Sequence, residues 1–137
     1  MNITFLGTKV SKLSLITGEE GLEDDFNLSF ANGYPDERSE DNKSFIVTFS
    51  IRICSAEEKF LLELEYIGFF SCDEPITEEF KNSHFPISNA PAIAYPFMRS
   101  FINTVTVNSN LNPVILPTIN FVELARQQKE LANERTI

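Results

Sequence analysis

The sequence predicts an α+β domain, a four-stranded antiparallel sheet with two C-terminal helices packed on one of its faces. Up to about residue 72, apolar residues alternate with polar ones, the period of half-buried strands. From residue 90 they recur every three or four positions, the period of helices. Strands therefore run together first and helices afterwards, an order that belongs to α+β folds. The length, 137 residues, suits one domain over residues 1–137 with one core.

The strands follow in order. In residues 2–16, Ile3, Phe5 and Gly7 share one phase, Val10 the other, and Leu13 and Leu15 the first again. A phase slip inside one strand predicts a bulge near residues 8–12. Thr17 to Asp25 carries Gly18, Gly21 and a run of carboxylates, the composition of a solvated loop. Phe26 to Phe30 alternates cleanly and puts Phe26, Leu28 and Phe30 on one face. Asn32 to Lys43 is a polar connection. In Ser44 to Cys54, Phe45, Val47, Phe49, Ile51 and Ile53 point one way and Thr48, Ser50 and Arg52 the other. Ser55 to Glu58 turns the chain, and Lys59 to Ser71 returns with Phe60, Leu62, Leu64 and Tyr66 inward and Leu61, Glu63 and Glu65 outward.

Residues 73–89 read as an irregular crossing, with Ser88 or Asn89 placed to cap the first helix. That helix, from Ala90, carries two apolar stripes: Ile93, Phe97, Phe101 and Val105, and beside them Ala94, Met98 and Ile102. The pair is wider than one surface requires. Either the helix is wholly buried, or it serves two partners, its own sheet and another subunit. Pro96 lacks an N–H and crowds the Ala92 carbonyl, which predicts a loose or kinked first turn. The linker Pro113-Val-Ile-Leu-Pro117 is apolar where connections are ordinarily polar. Asn120 and Glu123 have capping-box spacing at the start of a second helix. Phe121, Leu124, Ala125, Gln128 and Ala132 line its single apolar face, and residues 133–137 are expected to fray.

Composition restricts the function. The net charge of −9 is the wrong sign for binding a phosphate backbone, so nucleic acid is not an expected partner. No run of eighteen apolar residues occurs, and Met-Asn-Ile-Thr-Phe lacks the features of a signal peptide, so cytoplasm is the expected compartment with no membrane insertion. Cys54 and Cys72 fall at opposite ends of the predicted hairpin, about 40 Å of strand apart, which excludes an intrachain disulfide. They read as two reduced thiols, and the lone His84 as a loop residue. Phosphate-binding, dinucleotide, zinc-protease and nucleophile-elbow motifs are all missing. No enzyme, cofactor or metal is expected.

The segment Ala90-Pro-Ala-Ile-Ala-Tyr-Pro-Phe-Met-Arg99 resembles the signature of the SecB family of export chaperones, an aromatic-Pro-aromatic step followed shortly by Arg. Leu116-Pro-Thr-Ile-Asn-Phe121 resembles that family's Pro-x-x-Asn-Phe approach to its last helix, and Gly68-Phe-Phe70 its glycine-aromatic strand end. Two features depart from it. Asn108-Ser-Asn110 stands where the family has Arg-Gly, and the first strand lacks an acidic pair, with Ser14 and Gly18 in that region.

The resemblance implies a homotetramer, a dimer of dimers, with the first helices sandwiched between two sheets; Phe97, Phe101, Ile102 and Val105 would form that interface. It implies ATP-independent binding of unfolded polypeptides or preproteins in apolar grooves, walled by Phe26, Leu28, Phe30, Val114, Leu116, Phe121 and Leu124. Leu61 and Glu63 match the family's Leu-x-Glu used to dock the SecA motor. Ordinary core is the competing reading for Phe26 and Leu28; for Val114 and Leu116 the groove is preferred, because linkers seldom bury themselves. Two other roles stay open: a SecB-like chaperone of an antitoxin in a toxin–antitoxin system, and a carrier of a small apolar ligand.

Overall fold

The computed structural model describes residues 1–36, 40 and 42–135. Part of the polar connection between Asn32 and Lys43 and the last two residues lie outside that set. Four strands, β1 (Ile3–Thr17), β2 (Asp25–Gly33), β3 (Ser44–Ser55) and β4 (Phe60–Cys72), form one antiparallel sheet in the order β1-β4-β3-β2. β2, β3 and β4 are a meander. β1 lies along β4, so residues 18–24 must cross the end of the β3–β4 hairpin to start β2 at the far edge.

That crossing is the acidic segment expected to be a solvated loop. It is exposed but tied down. The Glu19 N–H donates to the Lys59 carbonyl at 3.1 Å, Lys59 Nζ meets Glu20 at 2.8 Å, and the Ala56 N–H donates to Asp24 at 2.8 Å. Gly18 and Gly21, with φ of +80° and +79°, supply left-handed turns at no steric cost.

β1 needs two bulges, where the sequence indicated one. The register shifts between Phe5 and Gly7 and again between Val10 and Lys12. The core-facing series is thus Ile3 and Phe5, then Thr8 and Val10, then Leu13 and Leu15, opposite the even-numbered residues of β4. A phase that leaves and returns needs two insertions. The same register sets Cys54 opposite Leu61 and Cys72 opposite Ile3, at the two ends of β4, and both thiols are free and buried.

Residues 73–89 are more ordered than expected. Glu78–Lys81 forms a short helix, α1, capped by Thr77, whose Oγ1 accepts the Phe80 N–H at 3.1 Å. Phe85–Asn89 forms one wide π turn that leads directly into α2 (Ala90–Asn108). Asn89 already has helical angles and makes no side-chain cap, and Ser88 lies within the turn, so neither caps α2. Pro96 sits inside one continuous helix. Both Pro96 and Ala92 are on its exposed side, where water can satisfy the carbonyl that proline leaves unpaired. The irregularity therefore lies upstream of Ala90.

α2 packs on β4, β1 and β3, and α3 (Phe121–Arg135) meets β2 and the π turn. Ala90, Ala94, Tyr95, Met98, Ile102 and Thr106 form the buried face of α2. Gly68 allows that approach, since a Cβ there would come within 2.9 Å of the Ala94 Cβ. The core is aromatic, with the Phe45 and Phe70 rings stacked at 5.0 Å.

Candidate functional site

The apolar linker and α3 meet the sheet around one ring. Phe121, the first residue of α3, lies edge-on to Phe30 at 5.6 Å and to Tyr95 at 5.4 Å, and 6.0 Å from Phe49. The Tyr95 hydroxyl donates to the Pro117 carbonyl at 2.7 Å and pins the linker to α2. Burial raises the Tyr95 pKa above its ordinary value, opposed in part by Arg99. Asn120 caps α3 by accepting the Glu123 N–H at 3.1 Å, while the Glu123 carboxylate turns to Arg126 and leaves the capping box half made.

Four of the predicted groove residues are core. Leu28, Phe30, Leu116 and Phe121 are buried within the protomer. Exposure alternates along the linker between its prolines. Leu116 turns inward and is 3% exposed, and Ile115 turns outward and is 87% exposed. Val114 shares the inward phase and is half-buried. The linker side chain left in solvent is thus Ile115, which sequence reasoning passed over. Of the other groove candidates, Phe26 is 40% exposed and Leu124 is half-buried against the core. Val122 and Leu131 add exposed apolar surface on α3. A cleft of about 520 Å³ runs between α3, the π turn and β2, lined by Phe30, Ile87, Val122, Ala125 and Gln128 among others.

β2 is an edge strand, and one α3 side chain hydrogen-bonds its outward backbone. Gln128 Nε2 donates to the Phe30 carbonyl at 3.0 Å, and the Phe30 N–H donates to Gln128 Oε1 at 2.9 Å. The amide orientation follows from these bonds, because the reverse would set like groups against each other.

The second exposed apolar surface is on α2. Phe97 is 49% exposed with its ring 5.0 Å from that of Phe5. Ile93 is exposed, and Phe101 and Val105 are half-buried, Phe101 with its ring 5.8 Å from Tyr66. Leu6, at the first bulge of β1, is exposed at the same edge strand. Ile102 does not belong to this surface. It is fully buried under its own sheet, one helical face away from Phe97 and Phe101.

The opposite face of the sheet is apolar toward one end, with Ile46, Ile67 and Phe69, and polar around Glu63. Leu61 and Glu63 point outward from β4, as the alternation required. Glu63 lies across from Ser14 on β1 and Arg52 on β3, and Arg52 pairs with Asp25 at 2.9 Å. Lys12 lies across from Glu65. The surroundings of Glu63 are therefore of mixed charge. Among the described residues, no group of three metal-ligating side chains occurs and no helix is long and apolar enough to cross a membrane.

Comparison with known proteins bears on these surfaces. The family described as "Preprotein translocase subunit SecB" matches residues 25–132. The chain belongs to the SecB family. An uncharacterised protein of Methanocaldococcus jannaschii, MJ0357, is 32% identical over 105 residues, 72% of this chain and 64% of that protein. The protein-export protein SecB of Anaplasma marginale is 34% identical over 85 residues, 60% of this chain and 48% of that protein. The chain thus spans about half to two thirds of the length of these relatives. In fold it resembles the SecB-like chaperone Rv1957 of Mycobacterium tuberculosis, solved with a ChAD peptide from the HigA1 antitoxin. The TM-score is 0.65 at 14% identity, covering 85% of this chain and 90% of that one. A Streptococcus agalactiae protein of unknown function gives a TM-score of 0.59 at 15% identity, covering 86% of this chain and 98% of that one. In this SecB-family chain the matched stretch takes in β2 to α3, and β1 with Lys12 and Ser14 lies before it.

Proposed function

We propose that this chain is an ATP-independent holdase chaperone of the cytoplasm that binds non-native polypeptides on the β2–linker–α3 side and assembles as a homotetramer through the α2–β1 side. Family membership supports the chaperone role. The observation that carries the assignment of surfaces is the apolar side chains that one protomer leaves in water on both sides: Phe26, Ile115 and Val122 on one, Leu6, Ile93 and Phe97 on the other. Unfolded chains expose apolar side chains and unpaired backbone. A surface of Phe, Ile and Val attracts them in proportion to area, at about 25 cal/mol per Å² and with little regard to sequence. The acidic surface adds attraction for basic segments such as the starts of preproteins.

The test is aggregation of a chemically denatured client diluted into buffer without nucleotide. Suppression at near-stoichiometric tetramer supports the reading; an unchanged aggregation rate contradicts it. Light scattering should return about four times 15.6 kDa, and a monomer would remove the tetramer.

A second reading concerns the partner. Delivery to SecA would use Leu61 and Glu63. Arg52 and Lys12 offset the acidic residues around them, and β1 offers Ser14 in place of an acid. This favours an antitoxin over SecA as the dedicated partner, and the fold shared with a SecB-like chaperone that binds an antitoxin peptide is compatible with that. Titrating the chain with SecA and with candidate antitoxins separates the two.

A further inference from the structure

The two hydrogen bonds between Gln128 and Phe30 are those that a neighbouring strand would make. A carboxamide has the donor and acceptor of a peptide group, and here both are spent on one residue's outward N–H and C=O. Backbone groups alternate in direction along a strand, so those of Phe26 and Leu28 also point away from β3 to the open edge. Exposed edges invite strand addition, and proteins ordinarily cover them. Here the outward backbone groups of Phe30 are satisfied by one flexible side chain. Immediately beside it runs the apolar cleft lined by Phe30, Ile87, Val122 and Ala125.

We infer that the Gln128 carboxamide is a displaceable stand-in for a fifth strand, and that an extended segment of a non-native polypeptide, apolar at alternate positions, adds to the β2 edge by taking its place on Phe30. The inference rests on the proposal that this side of the molecule binds non-native chains, and it supplies the mode. Backbone hydrogen bonds from Phe26, Leu28 and Phe30 give sequence-independent affinity, and alternate apolar side chains enter the cleft beside α3. Displacement exchanges two neutral hydrogen bonds for two others, so the exchange is nearly isoenergetic and reversible.

The experiment uses the full chain and two fluorescent ten-residue peptides, both alternating leucine with serine or lysine. The second carries N-methyl groups on alternate residues along one edge, which removes strand pairing and keeps the side chains. The wild type should bind the unmodified peptide more tightly. Gln128→Ala should widen that gap by about threefold to tenfold, the effect of removing a competitor with two neutral hydrogen bonds. In hydrogen exchange, the Phe30 amide should lose protection in Gln128→Ala and regain it with the unmodified peptide. If the alanine variant is poorly folded, Gln128→Met serves, because it keeps the length of the side chain and lacks the amide.

Equal binding of both peptides to wild type and variant would overturn strand addition and leave the apolar surface as the binding site. Equal weakening of both by Gln128→Ala would make Gln128 a mere part of the cleft wall and overturn the inference. A larger oligomer of Gln128→Ala without peptide would assign the edge to a second copy of this chain, and also overturn it. Binding of neither peptide, with client aggregation unsuppressed, would remove the proposed function itself.

Discussion

The two long helices differ in how they are held. α2 turns a face of Ala94, Met98, Ile102 and Thr106 into the core, with all four fully buried. α3 anchors through Phe121 and, further along, through the Gln128 side chain on Phe30; its remaining surface is exposed or half-buried. One helix is a wall of the domain and the other is held along its border by Phe121, Leu124, Ala125 and Gln128. A chaperone needs both kinds of surface. A permanent helix can carry an assembly interface on its outer stripe, and a loosely held one can adapt to many clients.

Substitutions in the two helices should differ sharply in cost. Ile102→Ala or Met98→Ala should cost about 2–5 kcal/mol in urea unfolding, because each leaves a cavity in a filled core. Leu131→Ala, exposed on α3, should change stability by less than about 0.5 kcal/mol. Similar losses at both sites would mean that α3 is as integral as α2.

Charging the outer stripe of α2 should separate assembly from folding. Ile93→Asp with Phe97→Asp should reduce the mass in sedimentation to that of a smaller species while circular dichroism stays native. Unaltered mass would take the interface off this face.

On the other side, Ile115→Ser with Val122→Ser should weaken client binding by about tenfold or more, from the transfer energy of two apolar side chains, with the urea midpoint nearly unchanged. Leu116→Ser should do the reverse, destabilising the fold, since Leu116 is core.

The smallest effect concerns charge. Arg126 bonds Glu123 and pairs with Glu130, and this holds the Glu123 carboxyl below its ordinary value of 4.5. A carboxylate depressed in the folded state stabilises above its unfolded pKa and loses that contribution as pH falls through the folded one. Acidification below about pH 4.5 should therefore lower the protection factors of amides at the start of α3 and leave those of α2 unchanged.

The sheet and both long helices were legible because their signals are periodic. Alternation in residues 44–71 decided which side chains face inward, and it was right down to Leu61 and Glu63. The excess width of the apolar face on α2 was also legible, and its two stripes did divide between core and surface, with Ile102 on the core side. Less was legible where a side chain's direction depends on tertiary contact. Linkers seldom bury themselves, which points to Val114 and Leu116 as groove residues, yet Leu116 is buried, Val114 is half-buried and Ile115 is the exposed one. Phe26, Leu28 and Phe30 share a phase, yet only Phe26 emerges; Leu28 and Phe30 are buried in the core, Phe30 against the Phe121 ring. The second bulge in β1 was implied by the return of phase at Leu13 but needed the register with β4 to be seen. Gln128 carried no local signal beyond an apolar-face position, since its role depends on an edge strand 98 residues earlier.

The central claim is that clients bind on the α3 side while the α2 side holds the assembly together. Hydrogen–deuterium exchange of the full chain with and without a permanently unfolded, reduced and alkylated client tests it most directly. New protection is expected to be confined to residues 25–33 and 113–130, with α2 equally protected in both states. Protection confined to residues 3–16 and 93–107, or none anywhere, would contradict it.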